Sequence, residues 1–195
     1  MDGVLVIVAI ALVATAGCAG RWQNHERYGA CDGQQWAAPV ACPGAPNLYK
    51  VTDGVYRGAE PGAVGFRCLE RMGVRTVVNL QTMDSDRDEL EGTDLDYEHI
   101  WFRTWHPEDE DVVRFLNIAT DPARTPVFVH CRRGADRTGL MCAVYRVVVC
   151  GWSKEEAIRE MTQGGFGFDH RWRNLVEYVE ALDVPKMEEA LVHAE

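Results

Sequence analysis

A strand, a tight glycine-containing loop and a helix follow one another in the second half of the chain, and this arrangement restricts the possible folds most. Residues 127–129 are apolar, and residues 140–149 form a long, almost wholly apolar helical pattern. The loop between them joins a buried strand to a helix N-terminus, where backbone N–H groups converge on an anion. The sequence thus predicts an α/β fold that binds an anion where this strand ends.

The two ends of the loop carry side chains suited to phosphate chemistry. Cys131 is the candidate nucleophile, because a helix N-terminus and nearby arginines lower a thiol pKa from about 8.5 and favour the thiolate. Arg137 returns to the same anion, and its planar guanidinium can hold two phosphate oxygens while charge develops on them. The alternatives for Cys131 are an inert buried cysteine, a sulfur carrier and a zinc ligand. The chain has no Cys-x-x-Cys or His-x-x-x-His pair, so we expect no metal and no cofactor.

The remaining loop residues have supporting or binding tasks. His130 is predicted to orient the loop, and Thr138 to hydrogen-bond the sulfur as it leaves a phosphocysteine intermediate. Arg132 and Arg133 either favour a multiply charged substrate, such as an inositol phosphate, or raise the potential that steers any phosphate inward. The residues expected to contact the substrate are Arg132, Arg133, Gly134, Ala135, Asp136 and Thr138.

Two motifs carry a family resemblance. The stretch from Cys131 to Arg137 resembles the Cys-x5-Arg signature of cysteine-dependent protein tyrosine phosphatases and dual-specificity phosphatases. Residues 56–61 resemble the Tyr-Arg-x-x-Gln-Pro opening of atypical dual-specificity phosphatases, with Glu60 in place of glutamine. The resemblance covers residues 47–182. It implies a phosphoester hydrolase with a central sheet, helices on both faces, a phosphocysteine intermediate and no metal.

A general acid is needed to protonate the leaving oxygen, and the sequence offers several carboxylates. Residues 105–111 resemble the acid loop of the family, which carries an aspartate after a proline, and this resemblance selects Asp109. Asp111 in the same segment is an alternative. Asp136 is another, because Asp-Arg-Thr-Gly resembles a bacterial subgroup whose loop aspartate is implicated in acid catalysis. Without an acid role, the acidic segment would cap the following helix, and Asp136 would shape the loop.

Strand patterns alternate with helix patterns, which predicts a layered α/β domain with a largely parallel central sheet flanked by helices. Besides the strand at residues 127–129, the patterns predict a hairpin around residues 49–57 and strands at residues 74–80 and 97–102. Predicted helices span residues 62–72, 108–120, 138–149, 154–161 and 172–182. Ser153 and Glu156 fit a capping box. Residues 47–195 are enough for one domain with a substantial core.

The N-terminal segment has a different character. Residues 4–16 are almost unbrokenly apolar, which is typical of a signal-peptide core, with a buried element of the domain as the alternative. Residues 15–18, Thr-Ala-Gly-Cys, resemble the bacterial lipobox, which implies a leader over residues 1–18 and lipidation of Cys18. The expected product is an exported, membrane-anchored protein, or a cytoplasmic one if the leader does not function. Residues 19–46 are rich in Gly, Ala and Pro and are predicted to form a linker or loosely packed arm.

The other cysteines and the charge complete the expectations. Cys31 and Cys42 are candidate disulfide partners in an oxidising compartment, and three further cysteines fall in apolar helical patterns typical of a core: Cys68, Cys142 and Cys150. The net charge of -10 argues against a nucleic-acid partner, because phosphate backbones are bound by clustered basic residues. The acidic residues 84–91 are predicted to be a solvated surface, or a selector of basic flanks. Residues 164–168 form either a pocket rim or a turn with two core aromatics.

Three functions remain open from the sequence. The leading hypothesis is the dephosphorylation of phosphotyrosine proteins, with phosphoserine and phosphothreonine as further substrates, through Cys131, Arg137 and an aspartic acid. An inositol phosphate or phosphoinositide phosphatase is the closest alternative, and the depth of the pocket distinguishes the two. The alternative of another class is a lipid-anchored phosphate-binding module without turnover.

Overall fold

The computed structural model describes Cys31 and residues 35–192, and within them six strands form one sheet. The strands are β1 (Ala38–Pro39), β2 (Tyr49–Lys50), β3 (Val55–Ala59), β4 (Thr76–Asn79), β5 (Asp96–His99) and β6 (Val127–Cys131). Their order across the sheet is β1-β2-β3-β6-β4-β5. The four strands from β3 to β5 in this order are parallel, and β1 and β2 join antiparallel at one edge. The predicted central, largely parallel sheet is confirmed.

Helices cover both faces of this sheet. They are α1 (Ala63–Arg71), α2 (Asp109–Thr120), α3 (Asp136–Val148), α4 (Lys154–Gln163), α5 (Arg173–Ala181) and α6 (Val184–Val192). Successive residues of a strand point to opposite faces. Val77 and Phe128 therefore pack with Phe66 of α1 on one face, whereas Val78 and Val129 pack with side chains of α2 to α6 on the other.

The central strand of the sheet is β6, and it is buried at every position. It lies between β3 and β4, with Ala59 opposite Cys131 and Asn79 opposite His130. A parallel strand covered on both faces needs a continuous apolar run, which explains the composition of residues 127–129. The strand delivers Cys131 to the carboxyl edge of the sheet, where open α/β sheets bind their ligands.

The predicted elements agree with the observed bounds to within three residues. The Ser153 cap is also confirmed, because its hydroxyl accepts a hydrogen bond from the backbone N–H of Glu156 at 3.1 Å. Two elements were not predicted from the sequence. They are β1, which is only two residues long, and α6, whose pattern follows α5 after a short break.

The segment predicted to be a linker differs from that expectation over residues 35–46. There, β1 pairs antiparallel with β2, and the backbone N–H of Ala37 donates to the Glu160 carboxylate of α4 at 2.6 Å. These residues belong to the folded domain, because their partners lie far along the chain. The predicted leader, residues 1–18, lies outside the described residues. None of the described helices is both long enough and apolar enough to cross a membrane.

Two disulfides hold this segment to the rest of the domain, and they correct the predicted pairing. Cys31 is bonded to Cys150, and Cys42 is bonded to Cys68 of α1, with Cα–Cα distances of 5.5 Å and 6.0 Å. The hypothesis of a Cys31–Cys42 bond is therefore wrong. Cys68, Cys142 and Cys150 are all buried in the core, as predicted. Cys142 is the one of these three that forms no disulfide. Proximity in the fold decides disulfide pairing, and distance along the chain does not reveal it.

Candidate active site

The phosphate-binding loop, residues 131–137, runs from the end of β6 into the first turn of α3. Gly134 has a φ of 66°, in the left-handed region, and a Cβ atom built there would lie 2.3 Å from the backbone carbonyl of Gly58 on β3. No side chain fits at that distance. The loop can therefore curve tightly against β3 only because position 134 is glycine.

The sulfur of Cys131 lies at the floor of this loop, and the residue is 3% exposed. Burial raises the pKa of the thiol, but hydrogen bonding from the hydroxyl and the backbone of Thr138 lowers it, as do the charge of Arg137 and the backbone of Arg133. The net result is a pKa below the ordinary thiol value. The Thr138 hydroxyl is buried and has no other partner among the described residues, so it is available to the sulfur of Cys131.

A cleft of about 400 Å³ opens above the sulfur. Its walls come from the phosphate-binding loop, from one earlier position and from one later segment. The lining residues are Thr104, Cys131, Arg132, Arg133, Asp136, Arg137, Asp169, Arg171 and Trp172. A larger cavity of about 720 Å³ lies beside α2, between Glu98 and Leu191, but it contains no nucleophile. The chemistry therefore assigns the smaller cleft as the active site.

The arginines of the cleft differ in how they are neutralised. Arg133 is paired with Asp136 and Arg171 with Asp169, each at 2.6 Å. The hydrogen bonds from Arg171 lower the pKa of Asp169 to about 2, so this carboxylate is charged at neutral pH. Arg137 donates to the carbonyl oxygen of Leu80 at 3.0 Å. Among the described residues, Arg132 and Arg137 have no carboxylate partner and are left to meet an anionic substrate.

Asp136 braces the loop through both of its carboxylate oxygens. One accepts from Arg133, and the other accepts from the backbone N–H of Asp169 at 2.8 Å. These bonds support the interpretation that Asp136 shapes the loop. It is nevertheless the one candidate acid that lines the cleft, and its role in proton transfer stays a prediction.

Asp109 lies outside the lining of the cleft, at the first residue of α2. Its carboxylate accepts hydrogen bonds from the hydroxyl of Tyr178 at 2.8 Å and from Lys186 at 2.6 Å. The bonds from Lys186 and then Tyr178 lower its pKa, which favours the charged form at neutral pH. Burial and the charge of Glu108 raise the pKa of Asp111, which also does not line the cleft. The acid role of Asp109 therefore stays a prediction, and the structure does not bring it to Cys131.

Two residues that support the loop were not recognised from the sequence. Arg57 of β3 is buried and donates to the carbonyl oxygen of Gly134 at 2.8 Å. Asn47 donates to the carbonyl oxygens of Arg133 and Phe166 at 2.9 Å and 3.0 Å. These bonds turn loop carbonyls outward and leave the N–H groups to face an anion. The Tyr-Arg motif at residues 56–57 was the signal that could have identified Arg57.

Phe166 supports Arg57 in turn, because the guanidinium carbon lies 3.7 Å from the centroid of the Phe166 ring. Phe166 and Phe168 are both buried. Residues 164–168 therefore form a turn with two core aromatics, the second of the two interpretations offered by the sequence. Their contribution to the site is indirect, through the position of Arg57.

His130 also has a partner that the sequence did not reveal. Its Nε2 atom lies 2.9 Å from a carboxylate oxygen of Asp86, and both side chains are buried. The interpretation of residues 84–91 as a solvated surface is wrong for Asp86, although Asp84 and Asp88 are exposed as expected. The described residues contain no group of three or more His, Cys, Asp or Glu side chains placed to hold a metal ion.

Comparisons with known proteins agree with this geometry. The model of the family described as "DSP-PTPase phosphatase fused to NAD+ Kinase" matches residues 49–172. The dual specificity protein phosphatase TpbA of Pseudomonas aeruginosa strain UCBPP-PA14 is 34% identical over 170 residues, which cover 82% of this chain and 78% of that protein. The inositol diphosphatase DSP3 of Arabidopsis thaliana is 25% identical over 155 residues, covering 75% of this chain and 74% of that protein.

A solved structure gives the same result. The crystal structure of P. aeruginosa TpbA, as a cysteine-to-serine variant in complex with phosphotyrosine, superposes with a TM-score of 0.72 and 32% sequence identity. The match covers 85% of this chain and all of the other. The predicted family is thereby confirmed. With its nucleophile, loop and fold in place, the chain belongs to the cysteine-dependent dual-specificity phosphatase family and is similar to TpbA.

Proposed function

We propose that this protein hydrolyses phosphate monoesters of protein tyrosine residues, with phosphoserine and phosphothreonine as slower substrates. The observation that carries the proposal is the Cys131 thiol, whose pKa is lowered at the centre of a loop closed by Arg137. A thiolate placed there attacks the phosphorus of a bound phosphate. The guanidinium of Arg137 and the loop N–H groups neutralise the charge that develops on the phosphate oxygens.

The reaction proceeds in two displacements. In the first, the Cys131 sulfur forms a bond to phosphorus while the bond from phosphorus to the tyrosine oxygen breaks, and an acid protonates the departing oxygen. In the second, water attacks phosphorus and gives a proton to the carboxylate that the first step left, the sulfur–phosphorus bond breaks, and inorganic phosphate leaves. The thiolate is restored, and the hydroxyl of Thr138 is the donor available to stabilise it.

The depth of the site favours an aryl phosphate. Cys131 is 3% exposed, so the phosphate has to enter the cleft completely to meet the sulfur. A phenyl ring holds the phosphate farther from a peptide backbone than a serine methylene does. The Trp172 side chain in the wall of the cleft offers an aromatic neighbour for that ring. The complex of TpbA with phosphotyrosine supports the same substrate.

The charge of the cleft also favours one phosphate group over several. Asp136 and Asp169 neutralise two of the four arginines, which leaves Arg132 and Arg137 for the substrate. A phosphate dianion balances two guanidinium groups. An inositol polyphosphate would require Arg133 and Arg171 to leave their carboxylates. This alternative has its support in the number of arginines at the cleft and in the similarity to an inositol diphosphatase.

The test compares three substrates without added metal: p-nitrophenyl phosphate, a phosphotyrosine peptide and an inositol polyphosphate. We expect the peptide to have the highest kcat/KM. Cys131→Ser should abolish turnover of all three and retain phosphate binding, because the loop N–H groups remain. A higher kcat/KM for the inositol polyphosphate than for the peptide would contradict the proposed substrate and support the inositol phosphate alternative. Turnover by Cys131→Ser, or no turnover by the reduced, folded protein, would contradict the mechanism, and the latter would support the phosphate-binding module.

We also propose that the protein is exported and anchored to a membrane through Cys18. The support is the apolar stretch at residues 4–16, the lipobox-like residues 15–18 and the two disulfides, which persist in oxidising compartments. Expression of the full chain in a bacterium with radioactive palmitate tests this. We expect label in the membrane fraction for the natural chain and none for Cys18→Ala. Unlabelled protein in the cytosol would contradict the proposal.

A further inference from the structure

We propose that Asp86 is a positioning residue for the phosphate-binding loop and acts on it through His130. The inference rests on the proposed function, because it concerns the same loop. Asp86 does not line the cleft and cannot touch the substrate there. Its influence on catalysis has to pass through the side chain it holds.

The surroundings of His130 leave its orientation to Asp86. The imidazole is stacked on the Phe128 ring, with centroids 5.4 Å apart and an angle of 14° between the planes. The Phe66 ring meets it edge to face, with centroids 6.2 Å apart. Apolar rings offer the ring nitrogens no hydrogen bond, so a half-turn of the imidazole about its Cβ–Cγ bond would leave this stacking unchanged. The bond from Nε2 to the Asp86 carboxylate, at 2.9 Å, prevents this rotation, and Nδ1 has no partner within the described part of the chain.

The bond also determines where the imidazole carries its hydrogen. A carboxylate accepts hydrogen bonds, so Nε2 is protonated and donates to Asp86. His130 directly precedes Cys131 in β6. A displacement of the His130 side chain would therefore move the peptide group that joins this residue to the nucleophile.

The segment that contains Asp86 contacts the other end of the loop as well. The backbone N–H of Leu80 donates to the carbonyl oxygen of His130 at 2.9 Å, and the carbonyl oxygen of Leu80 accepts from Arg137 at 3.0 Å. The segment after β4, residues 80–86, thus holds both the residue before the nucleophile and the arginine that closes the loop. We call this segment the brace.

The brace is rigid enough to serve this purpose. The side chain of Asn79 donates to the carbonyl oxygen of Asp84 and accepts from the backbone N–H of Gln81. The backbone N–H of Asp86 donates to the hydroxyl of Tyr97 at 3.3 Å. Side chains from two strands therefore fix the path of the brace, and these bonds hold Asp86 in position independently of His130.

Removal of the Asp86 carboxylate should reduce the catalytic rate more than the stability of the fold. In Asp86→Ala, the buried Nε2–H of His130 has no acceptor, and the ring is free to turn in search of one. A displacement of the nucleophile by about 1 Å lowers a rate by about 100-fold. Asp86→Asn keeps the size of the side chain and an oxygen that accepts from Nε2–H. It should retain most of the activity.

The experiment measures two quantities for the full chain: the rate at which iodoacetate alkylates Cys131 at pH 7, mapped by mass spectrometry, and the protection of that thiol by inorganic phosphate. Kinetics with p-nitrophenyl phosphate accompany them. Cys142 is buried with a pKa raised to about 11, and it should not compete. Asp88→Asn, on the same segment of the chain but exposed, is the matched control.

For Asp86→Ala we expect a loss of about 100-fold in kcat with a smaller change in KM, slower alkylation and weaker protection by phosphate. Asp86→Asn should stay within about fivefold of the natural protein, and Asp88→Asn should match it, since an exposed substitution away from the site has little effect. If Asp86→Ala does not fold, Asp86→Ser carries the same expectation, because water can solvate its hydroxyl.

Two results would overturn the inference. One is a folded Asp86→Ala protein with natural alkylation and protection, which would mean that Asp86 supports stability alone. The other is an Asp86→Asn protein as impaired as Asp86→Ala, because the orienting hydrogen bond would then not be the cause. A natural protein whose thiol is not protected by phosphate would count against the proposed function instead, and the alkylation rates would still test Asp86.

Discussion

Arg57 Nη2, at 2.8 Å from the carbonyl oxygen of Gly134, ties β3 to the middle of the phosphate-binding loop. The same nitrogen lies 3.4 Å from the carbonyl oxygen of Ala135. Both carbonyls are drawn away from the anion, so the adjoining N–H groups can face it. A buried cation therefore shapes the site without lining the cleft.

Replacement of Arg57 tests this support. Arg57→Met should lower kcat/KM for p-nitrophenyl phosphate by about 100-fold, because the loop loses the donor that fixes two of its carbonyls. The loss of that donor should also destabilise the protein by about 1–3 kcal/mol in urea unfolding. Arg57→Lys should be intermediate, since an ammonium can bond one carbonyl but cannot lie flat on Phe166.

The matched control is Arg67→Met, which removes an exposed arginine from α1. We expect this variant to keep the activity and stability of the natural protein. Natural activity in a folded Arg57→Met protein would show that the loop holds its shape without the bond from β3.

Thr138 should control the pH dependence of the reaction. The pKa of Cys131 is lowered below its ordinary value, in part by the Thr138 hydroxyl, so the thiolate fraction rises at a lower pH than in a free cysteine. Thr138→Val removes the hydroxyl and should shift the rise in kcat/KM and in alkylation rate toward higher pH. Thr138→Ser should restore the natural profile. Identical profiles for Thr138→Val and the natural protein would exclude a bond to the thiolate.

The nucleophile and its loop could be predicted because their signals are local. An apolar run before Cys131, a glycine within the loop and an apolar helical pattern after it determine how one short segment folds. The supports of the loop come from far along the chain. Arg57 is 77 residues from Gly134, and Asp86 is 44 residues from His130. Periodicity within a window cannot reveal which distant polar residue becomes buried against the loop.

The general acid shows the same limit in another form. A local resemblance selected Asp109, but the groups that bind its carboxylate in the structure come from α5 and α6. Helix α6 was not predicted, so Lys186 could not be considered as a partner. The disulfides were misassigned for a related reason, since the two cysteines of the N-terminal segment bond to residues of the domain and not to each other.

Asp109 should contribute to stability in a pH-dependent way. Its pKa in the folded protein is lowered, so its contribution is fully present above the ordinary carboxyl pKa and is lost as the pH falls through the lowered value. Asp109→Asn should therefore unfold at a lower urea concentration than the natural protein at pH 7. The difference should shrink below about pH 3.8, the ordinary value. An equal difference at all pH values would contradict the ion pair with Lys186.

The same variant tests the acid role predicted from the sequence. The predicted acid role requires Asp109→Asn to slow phenyl phosphate more than p-nitrophenyl phosphate, whereas a role limited to the bonds with Lys186 and Tyr178 would slow both equally. An acid variant slows phenyl phosphate more, because that leaving group needs a proton. Selective slowing in Asp109→Asn would confirm the sequence-based assignment and show that residues 105–111 move into the cleft. Selective slowing of phenyl phosphate in Asp136→Asn would identify Asp136 of the phosphate-binding loop as the general acid.

The two disulfides should differ in how much they stabilise the domain. The Cys31–Cys150 bond joins residues 119 apart in sequence, and the Cys42–Cys68 bond joins residues 26 apart. In the chain-entropy description, closing the longer loop restricts the unfolded chain more, so the double variant Cys31→Ser/Cys150→Ser should lose about 5 kcal/mol. The corresponding loss for Cys42→Ser/Cys68→Ser should be about 3.5 kcal/mol.

Catalysis at low temperature should survive in both double variants, because neither bond lies in the lining of the cleft. Urea unfolding of the oxidised proteins measures the free energy of unfolding that each double variant loses. The natural protein treated with reductant should lose about the sum of the two. The reverse order would mean that noncovalent contacts already hold the segment before β1. Those contacts are the bonds of Arg146 to the carbonyl oxygen of Gln35 and of the Ala37 N–H to Glu160, and they would then outweigh the restriction of the unfolded chain.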